Sequence, residues 1–184
     1  MRTPYQYGIP LLSLFMVRVD LTDLYPLKIP VRMEKVLDGD TVKVSSGNYL
    51  LKLRLSRIDS PEKGQPFLGS SKGDAGVFAS DCFKKTIGNK KDFTLRLERF
   101  DIYGRMLGDI DELSLRLIQN GCASLYPMAE FSSRQEKWIY LKAIKTAKEN
   151  RVGLWSRGGY EVPKSWRKKY LRFSKRIAHQ QWRR

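Results

Sequence analysis

Between Val31 and Ile110 the apolar residues of this chain come in short alternating runs, and after Ile110 they recur at helical spacing. That switch of period commits the chain to a strand-rich unit followed by helices. The clearest run is Leu51, Leu53 and Leu55, with Lys52, Arg54 and Ser56 between them. Such alternation buries one face of a strand, so Arg54 is expected to point away from the leucine core. Val31–Leu37, Thr41–Val44 and Tyr49–Ile58 read as strands, the last two joined by a turn at Ser45-Ser46-Gly47-Asn48. Phe93, Leu95 and Leu97 alternate with Thr94, Arg96 and Glu98 in a fourth strand, and Arg105–Ile110 forms a fifth after the corner Asp101-Ile102-Tyr103-Gly104.

Ser60-Pro61 ends the third run, and the Gly-, Ser- and Pro-rich stretch from Gly64 to Gly76 reads as an exposed loop leading into a helix over Ala75–Ile87. A second helix, Glu112–Gln119, stops at Asn120-Gly121, and Ser133 with Glu136 forms a capping box that opens a third, to Glu149. Trp138, Leu141, Ile144 and Ala147 are the expected buried face of that helix. The expected class is α+β: a five-stranded OB-fold barrel packed with three helices, plus a basic C-terminal helix. Residues 31–161 are expected to form the domain, with 1–30 as an N-terminal extension and 162–184 as the basic tail. A barrel of this kind closes its sheet edges and leaves a groove suited to oligonucleotides.

Charge narrows the partners. The net charge of +16 favours polyanions such as nucleic acid or an anionic membrane face. Nine of the cations lie in the acid-free segment from Val162 to Arg184, leaving +7 on the other 161 residues. The one histidine, His179, lies in that tail. Chemistries built on a nucleophilic histidine, on paired imidazoles or on a histidine-rich metal site are therefore excluded, and a hydrolytic base must be a carboxylate. Cys82 and Cys122 are too few for a disulfide framework and lack zinc spacing, so they read as two buried or idle thiols, with a bond between them left open. The apolar run Ile9–Val17 after Arg2 is as short as a signal-peptide core, but no small-residue cleavage site follows. It is also too short to span a membrane.

Four clusters carry possible chemistry: Asp38-Gly39-Asp40-Thr41, Arg54, Asp59-Ser60-Pro61-Glu62 and Tyr103-Gly104-Arg105. All four are expected at one mouth of the barrel. Hydrolysis of a phosphodiester requires neutralised phosphate oxygens, a positioned water and stabilisation of the extra charge in the five-coordinate transition state. Asp40 and Asp59 supply hard oxygen ligands for Ca²⁺ or Mg²⁺, with a backbone carbonyl near Ser60. Glu62 is the candidate general base. Arg54 and Arg105 offer planar forks that match phosphate oxygens better than a lysine ammonium does. Singly, each cluster also has an ordinary reading: Asp-Gly is a common turn, Asp-Ser-Pro-Glu a loop or helix start, and a strand arginine a solvated face.

Together and in this order, they resemble the staphylococcal nuclease family across roughly Val31 to Trp166. The resemblance is carried by Val36-Leu37-Asp38-Gly39-Asp40-Thr41-Val42, Leu53-Arg54-Leu55, Ile58-Asp59-Ser60-Pro61-Glu62, Gly64-Gln65-Pro66-Phe67, Asp101-Ile102-Tyr103-Gly104-Arg105 and Gly153-Leu154-Trp155. It implies an OB barrel and Ca²⁺-dependent cleavage of DNA and RNA that leaves 3′-phosphate ends. By motif position Asp40, Asp59 and the Ser60 carbonyl resemble the calcium ligands, Glu62 the general base, and Arg54 and Arg105 the phosphate-binding arginines. Tyr103 and Tyr126 resemble the tyrosines lining the nucleotide pocket. Ser60 stands where the family usually has threonine, which keeps the carbonyl, and the Leu68–Asp74 loop departs from the family's pattern, which bears on substrate preference. The resemblance favours a secreted or periplasmic protein, although the N-terminal segment is atypical for a signal peptide. No obligate protein partner is evident, and a monomer is expected.

Two other readings compete. A non-catalytic OB module would bind single strands by charge and stacking, but it gains nothing from Asp40, Asp59 and Glu62 in its groove, because without a cation they repel phosphate. The tail allows a third. Trp166, Tyr170, Phe173 and Ile177 recur at helical spacing among Lys and Arg, giving an amphipathic helix that packs on the domain or lies on an anionic membrane. Its Pro163, Trp166 and Arg167 resemble the Pro-aromatic-Arg ending of bacterial relatives, which favours docking on the domain.

Overall fold

The computed structural model describes residues 26–68 and 73–170. The apolar run Ile9–Val17, part of the Leu68–Asp74 loop, and the tail beyond Tyr170, with Phe173, Ile177 and His179, lie outside the described residues.

Five strands close a barrel: β1 (Leu27–Val36), β2 (Thr41–Ser46), β3 (Tyr49–Leu55), β5 (Asp92–Phe100) and β6 (Met106–Ile110). Four neighbouring pairs are antiparallel, and β3 pairs in parallel with β6, which completes the ring. This is the expected α+β barrel with packed helices. The inward residues are those the alternation selected. Val42, Val44, Leu53, Leu55 and Leu95 are fully buried. They pack with Phe83 of α1 (Ala75–Ile87) and with Leu113, Leu117 and Ile118 of α2 (Leu113–Gln119).

The third strand is shorter than expected. It ends at Leu55, a turn follows at 56–57, and the chain resumes as β4 (Ile58–Asp59), which pairs with β7 (Ser124–Leu125) instead of the barrel. The cause is Arg57, whose side chain is 3% exposed and held by Glu98 at 2.5 Å and Glu136 at 3.1 Å. An ion pair set behind the barrel redirects the chain where the apolar pattern alone would have continued the strand.

Glu136 also corrects the face assigned to α3 (Arg134–Glu149). Ser133 Oγ accepts from Glu136 N as a cap should, while the Glu136 carboxylate accepts from Ser132 N and Oγ and faces Arg57 and Arg96. The helix is thereby turned so that Tyr140, Ala143, Ile144 and Ala147 meet the core. Trp138 and Leu141 are exposed, against expectation. Lys142 lies 5.1 Å over the Trp138 ring, which gives that indole a partner at the surface.

The reading of Cys82 and Cys122 as idle thiols is also corrected. They form a disulfide across 40 residues, tying α1 to the turn after α2. Closing a loop of that length restricts the unfolded chain by about 4 kcal/mol in the entropic account.

A smaller cluster of Phe67, Ala75, Ala79, Leu154 and Tyr160 joins the start of α1 to a 3₁₀ helix, Gly153–Arg157. Beyond it the chain is again helical over 163–170. No helix among the described residues is long and apolar enough to cross a membrane.

Candidate active site

At one end of the barrel lies a cleft of about 440 Å³, lined by Asp38, Asp40, Thr41, Arg54, Ser60, Glu62, Tyr103, Arg105, Tyr126 and Arg167, among others. The four clusters expected at a single mouth do meet there. Larger grooves lie elsewhere, between α1 and β1 and beside α3, but they do not gather this set of groups.

Each side chain is placed by a local device. The β2–β3 register sets Arg54 beside Thr41, on the face away from Leu53 and Leu55. From there its Nη1 donates to Asp40 Oδ1 at 2.6 Å and its Nη2 to Asp59 Oδ1 at 3.0 Å, and its guanidinium lies 6.0 Å over the Tyr126 ring. Asp40 also accepts from Thr41 Oγ1 and from Ser60 N, so it links the β1–β2 turn to the end of β4. Gly39 makes that approach feasible: a Cβ there would lie 2.6 Å from Ser60 Cβ and 2.8 Å from Ala79 Cβ.

Glu62 is set by its backbone. Its N–H donates to Oε1 of Gln65, a fully buried residue whose Nε2 donates to Glu161 O at 2.6 Å. The Glu62 loop is thus fastened to the C-terminal segment. On its other side the loop lies against Gly76 of α1, where a Cβ would come within 2.2 Å of Glu62 O. Tyr160 completes the support by donating to Asp59 O at 2.9 Å while stacking on Trp155.

Arg105 is aimed by Asp101. One carboxylate oxygen accepts from Tyr103 N and Arg105 N, and the other accepts from Arg105 Nε at 2.7 Å. This knot needs the tight corner, in which Gly104 takes φ +72°, a left-handed value that costs glycine little. With Nε engaged, the two Nη groups of Arg105 remain for the cleft. Its guanidinium lies 5.6 Å over the Tyr103 ring, and that ring is 77% exposed.

Asp38, Asp40 and Glu62 line the cleft with Arg54, Arg105 and Arg167, three acids and three bases, and Asp59 lies buried beneath, bonded to Arg54. Burial and the neighbouring Asp40 push Asp59 up to about 6, despite the opposing pull of Arg54 and Arg167. Burial and Asp40 likewise raise Asp38 to about 6. Asp59 Oδ2 is buried and accepts no hydrogen bond. A hard divalent ion fits this donor set, since it would take up the orphaned oxygen and offset the crowded carboxylates. Among the described residues no group of three or more His, Cys, Asp and Glu side chains is arranged to hold a metal, so such an ion would rest on two carboxylates, backbone oxygen and water.

One lining residue was not foreseen as part of the site. Arg167 Nη1 donates to Glu62 Oε1, and its Nη2 lies 3.9 Å from Asp59 Oδ1. In the sequence it is one of nine tail cations, and only the ending Pro163-x-x-Trp166-Arg167 sets it apart.

The geometry agrees with what the chain is similar to. The family model described as "Staphylococcal nuclease homologue" matches residues 52–157. An uncharacterized endonuclease of Haemophilus influenzae is 29% identical over 166 residues, covering 86% of this chain and 84% of the relative. A protein named micrococcal nuclease from Shigella flexneri is 27% identical over 147 residues, covering 73% of this chain and 78% of its own length. With fold, cleft and relatives in agreement, the chain belongs to the staphylococcal nuclease family of nucleases.

Proposed function

We propose that this protein is a Ca²⁺-dependent nuclease that hydrolyses phosphodiester bonds of DNA and RNA and leaves 3′-phosphate ends. The observation that carries the reading is the meeting of Asp40, Glu62, Arg54 and Arg105 around one cleft, with Asp59 bonded to Arg54 beneath it and one buried Asp59 oxygen left without a partner. Relatives named as endonucleases support cleavage of nucleic acid, and family membership supports Ca²⁺.

Asp40, Asp59 and the Ser60 carbonyl would hold the cation, which supplies neutralising charge at the phosphate oxygens. Glu62 takes a proton from the attacking water as that water bonds to phosphorus, and the bond to the 5′ oxygen breaks. The 5′ oxygen takes up a proton from solvent water as it leaves, the phosphate stays on the 3′ side, and Glu62 returns its proton to solvent. Arg54 and Arg105 offset the charge that grows on the phosphate oxygens, and this is where forked donors act best. Tyr103 and Tyr126, at the rim, stack on or hydrogen-bond to the bases and sugar of the bound strand.

The non-catalytic binder is disfavoured by the same cleft. Asp38, Asp40 and Glu62 on its wall, with Asp59 beneath, add nothing to the binding of a strand unless a cation sits among them. Incubation of plasmid and RNA with the protein, with Ca²⁺ or with chelator, beside the Glu62→Gln variant, tests the proposal. Cleavage is expected only with the cation, and the variant is expected to lose about 10²- to 10⁴-fold in rate. Equal rates for the variant and the parent would remove Glu62 from its role.

A further inference from the structure

We propose that Arg167 is a third phosphate-holding arginine of the cleft, delivered by the C-terminal helix, and that it rests on Glu62 only until a strand binds. The inference rests on the nuclease reading and adds a substrate contact to it.

Three observations lead to it. First, Arg167 is built into the site and does not merely lie near it. The helix over 163–170 starts at the buried Pro163, just after Glu161, whose carbonyl accepts from Gln65 Nε2. Gln65 also holds the Glu62 backbone, so one buried amide fixes the base and the root of the helix relative to each other. Lys169 pairs with Glu161 at 2.7 Å, and Trp166 stacks on Tyr170 with ring centres 5.2 Å apart, which orders the turn that carries Arg167.

Second, the guanidinium lies among the reacting groups. It bonds to Glu62 and approaches Asp59, while its side chain stays 40% exposed and thus open to a ligand. Third, its present partner is unsuited to a permanent pairing. A base must accept a proton, and a guanidinium held on its carboxylate opposes that. Arginine presents five donors in a rigid fork, and an incoming phosphate diester offers it acceptors of equal charge. Transfer of Arg167 from Glu62 to a phosphate oxygen frees the base when substrate arrives. Its contribution therefore falls mainly on binding.

The full chain, Arg167→Ala and Arg167→Lys should be compared with Ca²⁺ present on a DNA oligonucleotide, reading KM and kcat apart. Binding without turnover is read by fluorescence anisotropy of the same oligonucleotide, in a Glu62→Gln background with and without Arg167→Ala. Removing a charge-assisted hydrogen bond is expected to weaken binding, in KM and in Kd, by about 10- to 100-fold. The kcat is expected to stay within about threefold, as for a contact made equally in ground and transition states. Lysine should recover part of the loss, since it keeps the charge without the fork. Unchanged Kd and KM would overturn the inference, as would a lower melting temperature with unchanged Kd, which would make Arg167 a structural pin. A rise in kcat with unchanged Kd would also overturn it, showing a latch on the base. Should the parent fail to cleave the oligonucleotide with Ca²⁺ present, the nuclease reading fails, while the anisotropy comparison still reports on Arg167.

Discussion

At the scale of single residues, the site depends on groups that hold other groups. Asp101 does not line the cleft, yet it accepts from Tyr103 N, Arg105 N and Arg105 Nε and so places Arg105. Burial works to raise the Asp101 carboxyl and is outweighed by the backbone and side-chain donors of Arg105, so its pKa lies below the ordinary value. Asp101→Ala is expected to cost roughly 10- to 100-fold in kcat/KM, the size of a lost charged hydrogen bond. Nuclease assays beside a melting curve check this, and a loss of stability without a loss of rate would contradict it. That Asp40, Arg54, Glu62 and Arg105 would share one cleft, with Asp59 beside Arg54, was legible because their types and order are unusual in combination. Arg167 was not, because its Pro-aromatic-Arg ending pointed to docking on the domain and nothing in the sequence tied it to Glu62, which only the fold brings beside it. The roles of Gln65 and Gly76 were hidden for a related reason, since Gln65 bridges the Glu62 backbone to Glu161 far along the chain and Gly76 matters only through its close approach to the Glu62 backbone.

At the scale of elements, period-2 alternation located the barrel strands, and Ser133 with Glu136 located the start of α3. Two readings failed where ion pairs overruled apolar pattern. The buried Arg57 broke the third strand, and the pull of Arg57 and Arg96 on Glu136 turned α3 so that Tyr140 faces inward and Trp138 does not. Burial tends to raise the Glu136 carboxyl, but the Ser132 donors and then Arg57 and Arg96 prevail and bring it below 4.5. A depressed carboxylate stabilises the fold above its unfolded pKa, and that stability is lost as the pH falls through its folded value. Glu136→Gln is therefore expected to destabilise by roughly 1–2 kcal/mol at about pH 7. The gap from the parent should close in acid, as the pH falls through the lowered value of the folded carboxyl. Urea unfolding at both conditions measures it, and a gap independent of pH would show that packing, not charge, sets the orientation of α3.

For the whole molecule, the barrel is a platform that brings four sequence-distant segments to one mouth, and the C-terminal segment closes it from behind. Tyr160 holds the Asp59 carbonyl, Glu161 receives Gln65, and Arg167 reaches Glu62. The sequence located the barrel and its helices through hydrophobic period, which is a local property. The closure from the C-terminal side depends on contacts about a hundred residues apart, which no local period encodes. The central claim is that Asp40 and Asp59 seat a divalent cation in this cleft. Calorimetric titration of Ca²⁺ into the full chain, Asp40→Asn and Asp59→Asn tests it most directly. A single site is expected in the parent, weakened at least about tenfold in each variant because affinity follows ligand charge. Equal Ca²⁺ affinity in all three proteins would contradict it.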